Sequence, residues 1–281
     1  MENEDFAVFI LSHGRPNNVK TFKLLKKRGY SGKIYLIIDN EDKTADQYVR
    51  NFGSGIVKVF DKKAMADKVD EGNNFDNRKV ILHARNYCFE LAKELNITYF
   101  VQFDDDYNGF GYRYFEGEKI INNLDKIFSL TLDYYKSCNI KSICFSQGGD
   151  HIGGFGGIKL KRKAMNSFFC STERPFNFIG SINEDVNTYT TLGSRGDLFF
   201  TLTNIILHQA ATQGSTGGMT DLYLDSGTYV KSFHSVMMHP SSVKIKMMYG
   251  VKNIRLHHSI KWKNTTPLII NEKYKKNGRL D

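Results

Sequence analysis

Three adjacent carboxylates, Asp104, Asp105 and Asp106, follow the apolar run Tyr99–Phe103 in the string YFVQFDDDY. Like charges this close repel, so either their pKa values rise or a cation neutralises them. A hard divalent cation with oxygen ligands, Mg2+ or Mn2+, suits such a set. Residues two apart in a strand share a face, which predicts Asp104 and Asp106 as the metal ligands and turns Asp105 away. A second acidic pair, Glu184-Asp185, follows Asn183 inside FIGSINEDVNTYTTLG. A carboxylate there can take a proton from an acceptor hydroxyl, or stabilise the start of the helix it opens. Leu256-His257-His258 supplies imidazoles, which bind transition metals. One of these histidines could complete a shell begun by Asp104 and Asp106, and the spacing does not choose between His257 and His258.

These groups need a scaffold. FAVFIL, Phe6–Leu11, is a continuous apolar run that predicts a buried strand. Ser12-His13-Gly14-Arg15-Pro16 breaks it, and Asn17 or Asn18 can cap a helix with Val19, Phe22 and Leu25 on one face. Gly29 and Gly32 stop that helix, and Ile34–Ile38 forms a second strand ending at Asp39. Strand–turn–helix–strand is the signature of a parallel sheet. Further strands are expected at Ile56–Phe60, Tyr99–Phe103 and Ile140–Phe145. Helical spacing runs through Ile81, Ala84, Cys88, Leu91 and Leu95, and again from Leu124 to Tyr135. The expectation is α/β, as one domain over residues 1–281. Ligands of open α/β sheets bind outside the carboxyl ends of the strands, where the triple aspartate falls.

The chain has 281 residues and a formal net charge of +9, a field that attracts polyanions. Lys159-Leu160-Lys161-Arg162-Lys163 is a dense basic run, with Arg174 and Arg195 beyond it. Phe168, Phe169, Phe176, Phe178 and Tyr189 are interleaved there. Basic side chains can neutralise phosphates and aromatics can stack on an extruded base; the same aromatics can equally form a packed core. Cys88, Cys138, Cys144 and Cys170 show no C-x-x-C spacing, which argues against zinc ribbons and redox motifs and suits a reducing cytoplasm. The start Met-Glu-Asn-Glu-Asp is unlike a signal segment. No apolar run reaches the roughly 20 residues that span a bilayer, so no membrane is expected. Oligomeric state is not legible.

The order of these motifs resembles the GT-A class of glycosyltransferases, which implies a Rossmann-type nucleotide-sugar-binding half at 1–110 and an acceptor and catalytic half at 111–281. Asp104-Asp105-Asp106 matches its D-x-D motif, Asn183-Glu184-Asp185 its x-E-D motif, and His257 or His258 its C-terminal metal-ligand histidine. FILSHGRP and LIIDNED look like its first two donor-binding strands, which implies donor contacts for Ser12, Arg15 and Asp39. HARN, His83–Asn86, resembles the segment that reaches the donor before D-x-D, which implies Arg85, with Asp104 and Asp105, in donor binding. The implied cofactors are Mn2+ or Mg2+, with a nucleotide sugar, UDP-linked, as co-substrate. Asp185 is then the base if the enzyme inverts, with Glu184 as substitute; if it retains configuration, neither role carries over.

A narrower resemblance runs through FILSHGRP, FDDDY, KRKAMNSFFCSTERPF, INEDVNTYTTLGSRGDLFFT and GGMTDLYLDSGTYVKSF. These look like the phage-type TET-associated glycosyltransferases, implicated in adding sugars to hydroxymethylated pyrimidines in DNA. The resemblance implies a DNA acceptor, held by Lys161, Arg162, Lys163, Arg174 and Arg195, in a phage or mobile-element setting. The competing readings are a glycosyltransferase with a non-DNA acceptor, a metal-dependent nuclease or phosphodiesterase, and a non-catalytic nucleic-acid-binding protein. A nucleotidyltransferase lacks support, since no G-x-G-x-R loop follows the first strand.

Overall fold

The computed structural model describes residues 5–69, 78, 80–147, 158–159, 161, 163–209, 230–249 and 254–267. β1 (Phe6–Leu11), β2 (Lys33–Asp39), β3 (Val57–Phe60) and β4 (Tyr99–Asp104) lie side by side as β3-β2-β1-β4, all parallel. Between them run α1 (Lys20–Lys27), α2 (Ala45–Phe52), α3 (Lys62–Ala66) and α4 (Leu82–Glu94). The apolar run of β1 is explained by burial on both faces. Phe6, Val8 and Ile10 join Leu24, Leu25, Val101 and Phe103 in one core cluster. Ala7, Phe9 and Leu11 join Cys88, Phe89 and Leu91 in the other. Helices cover both faces, which leaves no position in β1 for a polar side chain.

The sheet continues past β4. β9 (Ser167–Ser171) pairs antiparallel with β4, then come β7 (Ser142–Ser146), β10 (Phe199–Gln209), β5 (Tyr107–Tyr114) and β6 (Gly117–Ile120). The short β8 (Ile158–Lys159) pairs with β10, which makes ten strands. α5 (Leu124–Ser137) packs Leu124, Phe128 and Leu132 into the first cluster. α6 (Glu184–Ser194) packs Val186 and Tyr189 into the second. Beyond it are α7 (residues 230–238), a separate two-stranded ribbon of β11 (Val243–Tyr249) and β12 (Ile254–Ile260), and α8 (Trp262–Thr265).

Sequence periodicity placed β1 to β4, β7, α1, α4 and α5 to within a few residues and did not resolve α2, α3 or most elements after β7, and at α1 the cap differs. No asparagine caps it; Val19 occupies the cap position without a side-chain bond. Asn17 instead accepts from Gln47 and Asn51 and ties the loop to α2. No helix among the described residues is long and apolar enough to cross a membrane. Cys88, Cys144 and Cys170 are buried and all four cysteines are free, so they pack as small hydrophobes.

Candidate active site

β2 and β4 flank β1 on opposite sides, so the chain reverses its direction of progress across the sheet between β1 and β4. Crevices at such switch points hold ligands in open α/β sheets. Ser12–Arg15 and Asp104–Asp106 leave the carboxyl ends of these two strands. The Asp turn is fixed through its backbone. Thr21 Oγ1 donates to the Asp104 carbonyl at 2.6 Å and accepts the Tyr107 N–H at 3.0 Å. The Thr21 N–H bonds the Asp105 carbonyl at 3.0 Å. The Tyr107 hydroxyl accepts from the Asp104 N–H and donates to the Asn166 carbonyl.

The three carboxylates then diverge. Asp105 turns to the β1 loop, accepting from Ser12 Oγ and, at 2.9 Å, from Arg15 Nη1. Asp106 accepts from Gln209 Nε2 at 2.7 Å. Asp104 accepts from Arg85 Nη2 at 3.1 Å. Desolvation pushes the Asp104 pKa up to about 7; Arg85 opposes this, and Asp106, Glu184 and Asp105 add to it. Desolvation also raises Asp105, against Ser12 and Arg15.

Arg85 is the hub. It projects from α4 at 1% exposure. Its Nε donates to Glu184 at 2.8 Å, and its guanidinium lies over the rings of Phe168 and Phe178 at 5.3 and 5.6 Å. Burial works against its charge, and Asp104 and Glu184 overcome that and hold it protonated. Nη1 is buried without a hydrogen-bond partner among the described residues.

Glu184 and Asp185 open α6. The turn before them needs Gly180, whose φ is +80° and whose added Cβ would meet Asn187 Nδ2 at 2.6 Å. Asn183 sits at the cap with φ 55°, and its Nδ2 donates to the Lys231 carbonyl and Ser235 Oγ of α7. Glu184 is held by Arg85. Among the described residues Asp185 takes only the Val186 N–H, at 2.7 Å. Desolvation first, then Glu184, push its pKa up to about 6, against Val186, Arg85 and Lys163. Asp185 is therefore the acid of this pair that is free of a salt bridge among the described contacts and poised to take a proton near neutrality.

His257 and His258 lie on β12. Both Nε2 atoms face Lys163 Nζ, at 3.1 and 3.0 Å. Among the described residues no group of three His, Cys, Asp or Glu side chains is arranged to hold a metal ion. Asp39 ends β2 and is buried, with His13 Nδ1 at 2.7 Å and Lys62 Nζ at 3.3 Å. Burial works against its ionisation, and the His13 hydrogen bond and Lys62 outweigh it and hold the pKa low. Ser12 and Arg15 thus hold Asp105, Arg85 joins Asp104 to Glu184, and His13 holds Asp39; adjacency along the chain sets the three groups side by side.

The proposed DNA contacts scatter. Lys161 is exposed, Arg162 lies outside the described residues, and Lys163 faces the two histidines. Arg174 is bonded within the fold. Its Nη1 caps α5, donating to the carbonyls of Tyr135, Cys138 and Ile140. β9 runs antiparallel to β4 with Ser171 opposite Tyr99, which puts Arg174 beyond the end away from Asp104, about 17 Å along the strand. Arg195 is likewise displaced. It follows the last residue of α6, about 16 Å of helix from Glu184. Phe168, Phe169, Phe176, Phe178 and Tyr189 are buried core and offer no face to a base. Arg174→Ala should therefore lower unfolding free energy by about 1–3 kcal/mol in urea titration, while kcat/KM per folded molecule stays within about twofold of wild type. A selective rise in KM for DNA would contradict this.

Sequence reasoning missed His13, Lys62, Gln209 and the hub role of Arg85. His13 stands inside the quoted FILSHGRP motif. Lys62 and Gln209 carry no local signal, because only the fold brings them to Asp39 and Asp106.

The site thus combines a parallel half-sheet, acids at its switch point and a second acidic pair at a buried helix start. Residues 6–218 match the profile of the TET-Associated Glycosyltransferase family, and the chain belongs to that family. No curated protein matches it. Among solved structures it is similar to glucosyl-3-phosphoglycerate synthase from Mycobacterium tuberculosis in complex with Mg2+ and UDP. The TM-score there is 0.49 at 9% identity, over 92% of this chain and 88% of that one. The same enzyme with Mn2+ and UDP-glucose gives 0.45 at 10% identity, over 92% and 87%. Mannosyl-3-phosphoglycerate synthase from Rubrobacter xylanophilus gives 0.40 at 10%, over 91% and 86%. At such identities no residue role passes between those proteins and this chain.

Proposed function

We propose that this enzyme transfers a sugar from a nucleotide-sugar donor, with UDP as the nucleotide, to a hydroxymethylated pyrimidine in DNA, with Mn2+ or Mg2+ as cofactor. The observation that carries the reading is the carboxylate excess around Arg85. Asp104 is held near neutrality by desolvation and by three acidic neighbours, even with a guanidinium bonded to it. Such a set is relieved by a divalent cation, and its oxygen donors fit one. Asp104 and Asp106 would hold the ion; His257 or His258 would join only if Lys163 withdraws from their Nε2 atoms. The ion, when bound, neutralises the diphosphate and stabilises charge developing on the leaving group.

The protein's own groups divide the remaining work. Ser12, Arg15, Asp39 and Asp105 line the donor side, where Ser12 and Arg15 fix the Asp105 carboxylate. Arg85 Nη1 is a donor for a phosphate oxygen, while its other nitrogens keep Glu184 and Asp104 in place. Asp185 accepts the proton of the hydroxymethyl oxygen as that oxygen attacks the anomeric carbon, in an inverting reaction. The DNA acceptor is supported by the family and the net charge of +9.

The test is a panel of nucleotide sugars with hydroxymethylated DNA, digested to nucleosides for mass spectrometry. A glycosylated nucleoside that requires added Mn2+ or Mg2+ is expected. Transfer to a non-DNA acceptor alone, or DNA cleavage without donor, would overturn the proposal. For the metal, calorimetry of UDP should show Mn2+-dependent binding that Asp104→Ala and Asp106→Ala each weaken by at least about 1.4 kcal/mol, a tenfold loss. Equal, metal-independent binding by all three proteins would end the assignment.

A further inference from the structure

The ribbon of β11 and β12 lies outside residues 6–218 and outside the main sheet. Its base is anchored. Val243 and His258 are buried, and Ser232 Oγ of α7 donates to the Leu256 carbonyl at 3.0 Å. α7 is in turn bonded to Asn183, beside Glu184 and Asp185. Towards the other end burial falls away: Met247 is 50% exposed, Ile254 62% and Tyr249 76%. The register pairs Tyr249 with Ile254 and Met247 with Leu256, so these side chains share one face of the ribbon. Lys244 and Lys246 are exposed on the other face. Neither strand carries an acidic residue.

An exposed apolar end flanked by lysines fits few partners. Pairing with a second copy would set lysines against lysines, and like charges across a strand pair repel. A polyanion with an apolar interior has the complementary chemistry. From Lys246 to Tyr249 the strand extends about 10 Å, and a two-stranded ribbon fits a major groove roughly 12 Å wide and 8.5 Å deep. We infer that the β11–β12 ribbon is the duplex-engaging element: Lys244 and Lys246 contact phosphates, and Met247, Tyr249 and Ile254 fill the space left by the extruded target base. Apolar side chains wedge between base steps in this way in proteins that unstack DNA. The inference rests on the DNA acceptor proposed above. His257 and His258 at the ribbon's base contact Lys163, whose charge reaches Asp185, so the ribbon would deliver the base to the proton acceptor.

Two variants test it, Lys244→Ala/Lys246→Ala and Met247→Ala/Tyr249→Ala/Ile254→Ala. All five side chains are exposed, so unchanged thermal midpoints and UDP binding are expected to confirm folding. Anisotropy of labelled duplex across about 50 to 200 mM salt should show the lysine variant losing about two from the slope of log K on log salt. The triple variant should lose at least about tenfold in kcat/KM on hydroxymethylated duplex but less than about threefold on the single strand, where no unstacking is needed. Wild-type behaviour on both strands with an unchanged salt slope overturns the ribbon and leaves the proposed function standing. Duplex binding that depends on the ribbon, with no sugar transfer to any DNA, upholds the ribbon and overturns the function. No duplex binding by wild type, or a change in sedimentation instead of binding, overturns the ribbon assignment.

Discussion

Asp185→Asn is expected to bind UDP as wild type does while turnover falls about 10²- to 10⁴-fold, the scale for a positioned general base. The substitution keeps size and keeps an oxygen for the Val186 N–H, so the start of α6 should hold. It removes the group that can accept the acceptor proton. The pH dependence carries the argument further. The Asp185 pKa is pushed up to about 6, chiefly by desolvation. Wild-type kcat/KM should fall roughly tenfold per pH unit below about 6, as the carboxylate protonates. The residual rate of the variant should lack that limb. Stability should move the other way. A carboxylate whose folded pKa exceeds its unfolded value binds more protons folded than unfolded across the interval, so stability falls as pH rises from about 4 to 6. Asn carries no such cost, and the variant should be at least as stable as wild type at neutral pH in urea titration. Glu184→Gln inactivating the enzyme while Asp185→Asn does not would reverse the assignment.

The contrast between Glu184 and Asp185 was not legible in the sequence. The motif offered two adjacent acids, and only the guanidinium of Arg85, 99 positions from Glu184, separates them. What the chain did reveal were features with a local physical signal. β1, β2 and β4 appear as apolar runs because they are largely buried on both faces, whereas the edge strand β3 is only partly buried. The Asp turn appears as charge where an apolar strand ends. The basic run and its aromatics carry no such local signal. Arg174 and Arg195 share composition with a phosphate-binding surface, but the guanidinium of Arg174 serves the carbonyls at the end of α5, whereas Arg195 caps α6 through its backbone and exposes its side chain. Composition cannot tell an arginine facing solvent from one bonded to a helix end. The histidines fall between these cases. The strand that carries them is legible in hindsight as LHH within alternating apolar positions, whereas Lys163 opposite both of them is set by tertiary packing.

Removing the Arg85 side chain should be the most damaging single change to stability. Arg85→Met keeps much of the volume and the apolar stem over Phe168 and Phe178, so packing is not the main loss. What remains is Asp104 and Glu184 in a desolvated site with no cation between them. Breaking a buried ion pair by removing one partner costs about 3–5 kcal/mol, a large share of a typical domain's stability. The penalty has a pH signature. Desolvation and mutual repulsion already hold Asp104 near 7 with Arg85 present, and without Arg85 its pKa can only rise. The folded variant then binds more protons than the unfolded chain up to and above neutral pH, so its stability should recover as pH falls towards about 5. Glu184→Gln in the same background should restore part of the loss, because it removes one of the two orphaned charges. It should not restore donor binding, if Arg85 Nη1 reaches the diphosphate. Urea titrations at two pH values, with calorimetry of UDP and Mn2+, separate these effects. Full stability of Arg85→Met at neutral pH would refute the hub role, and full UDP affinity in the double variant would confine Arg85 to holding Glu184 and Asp104.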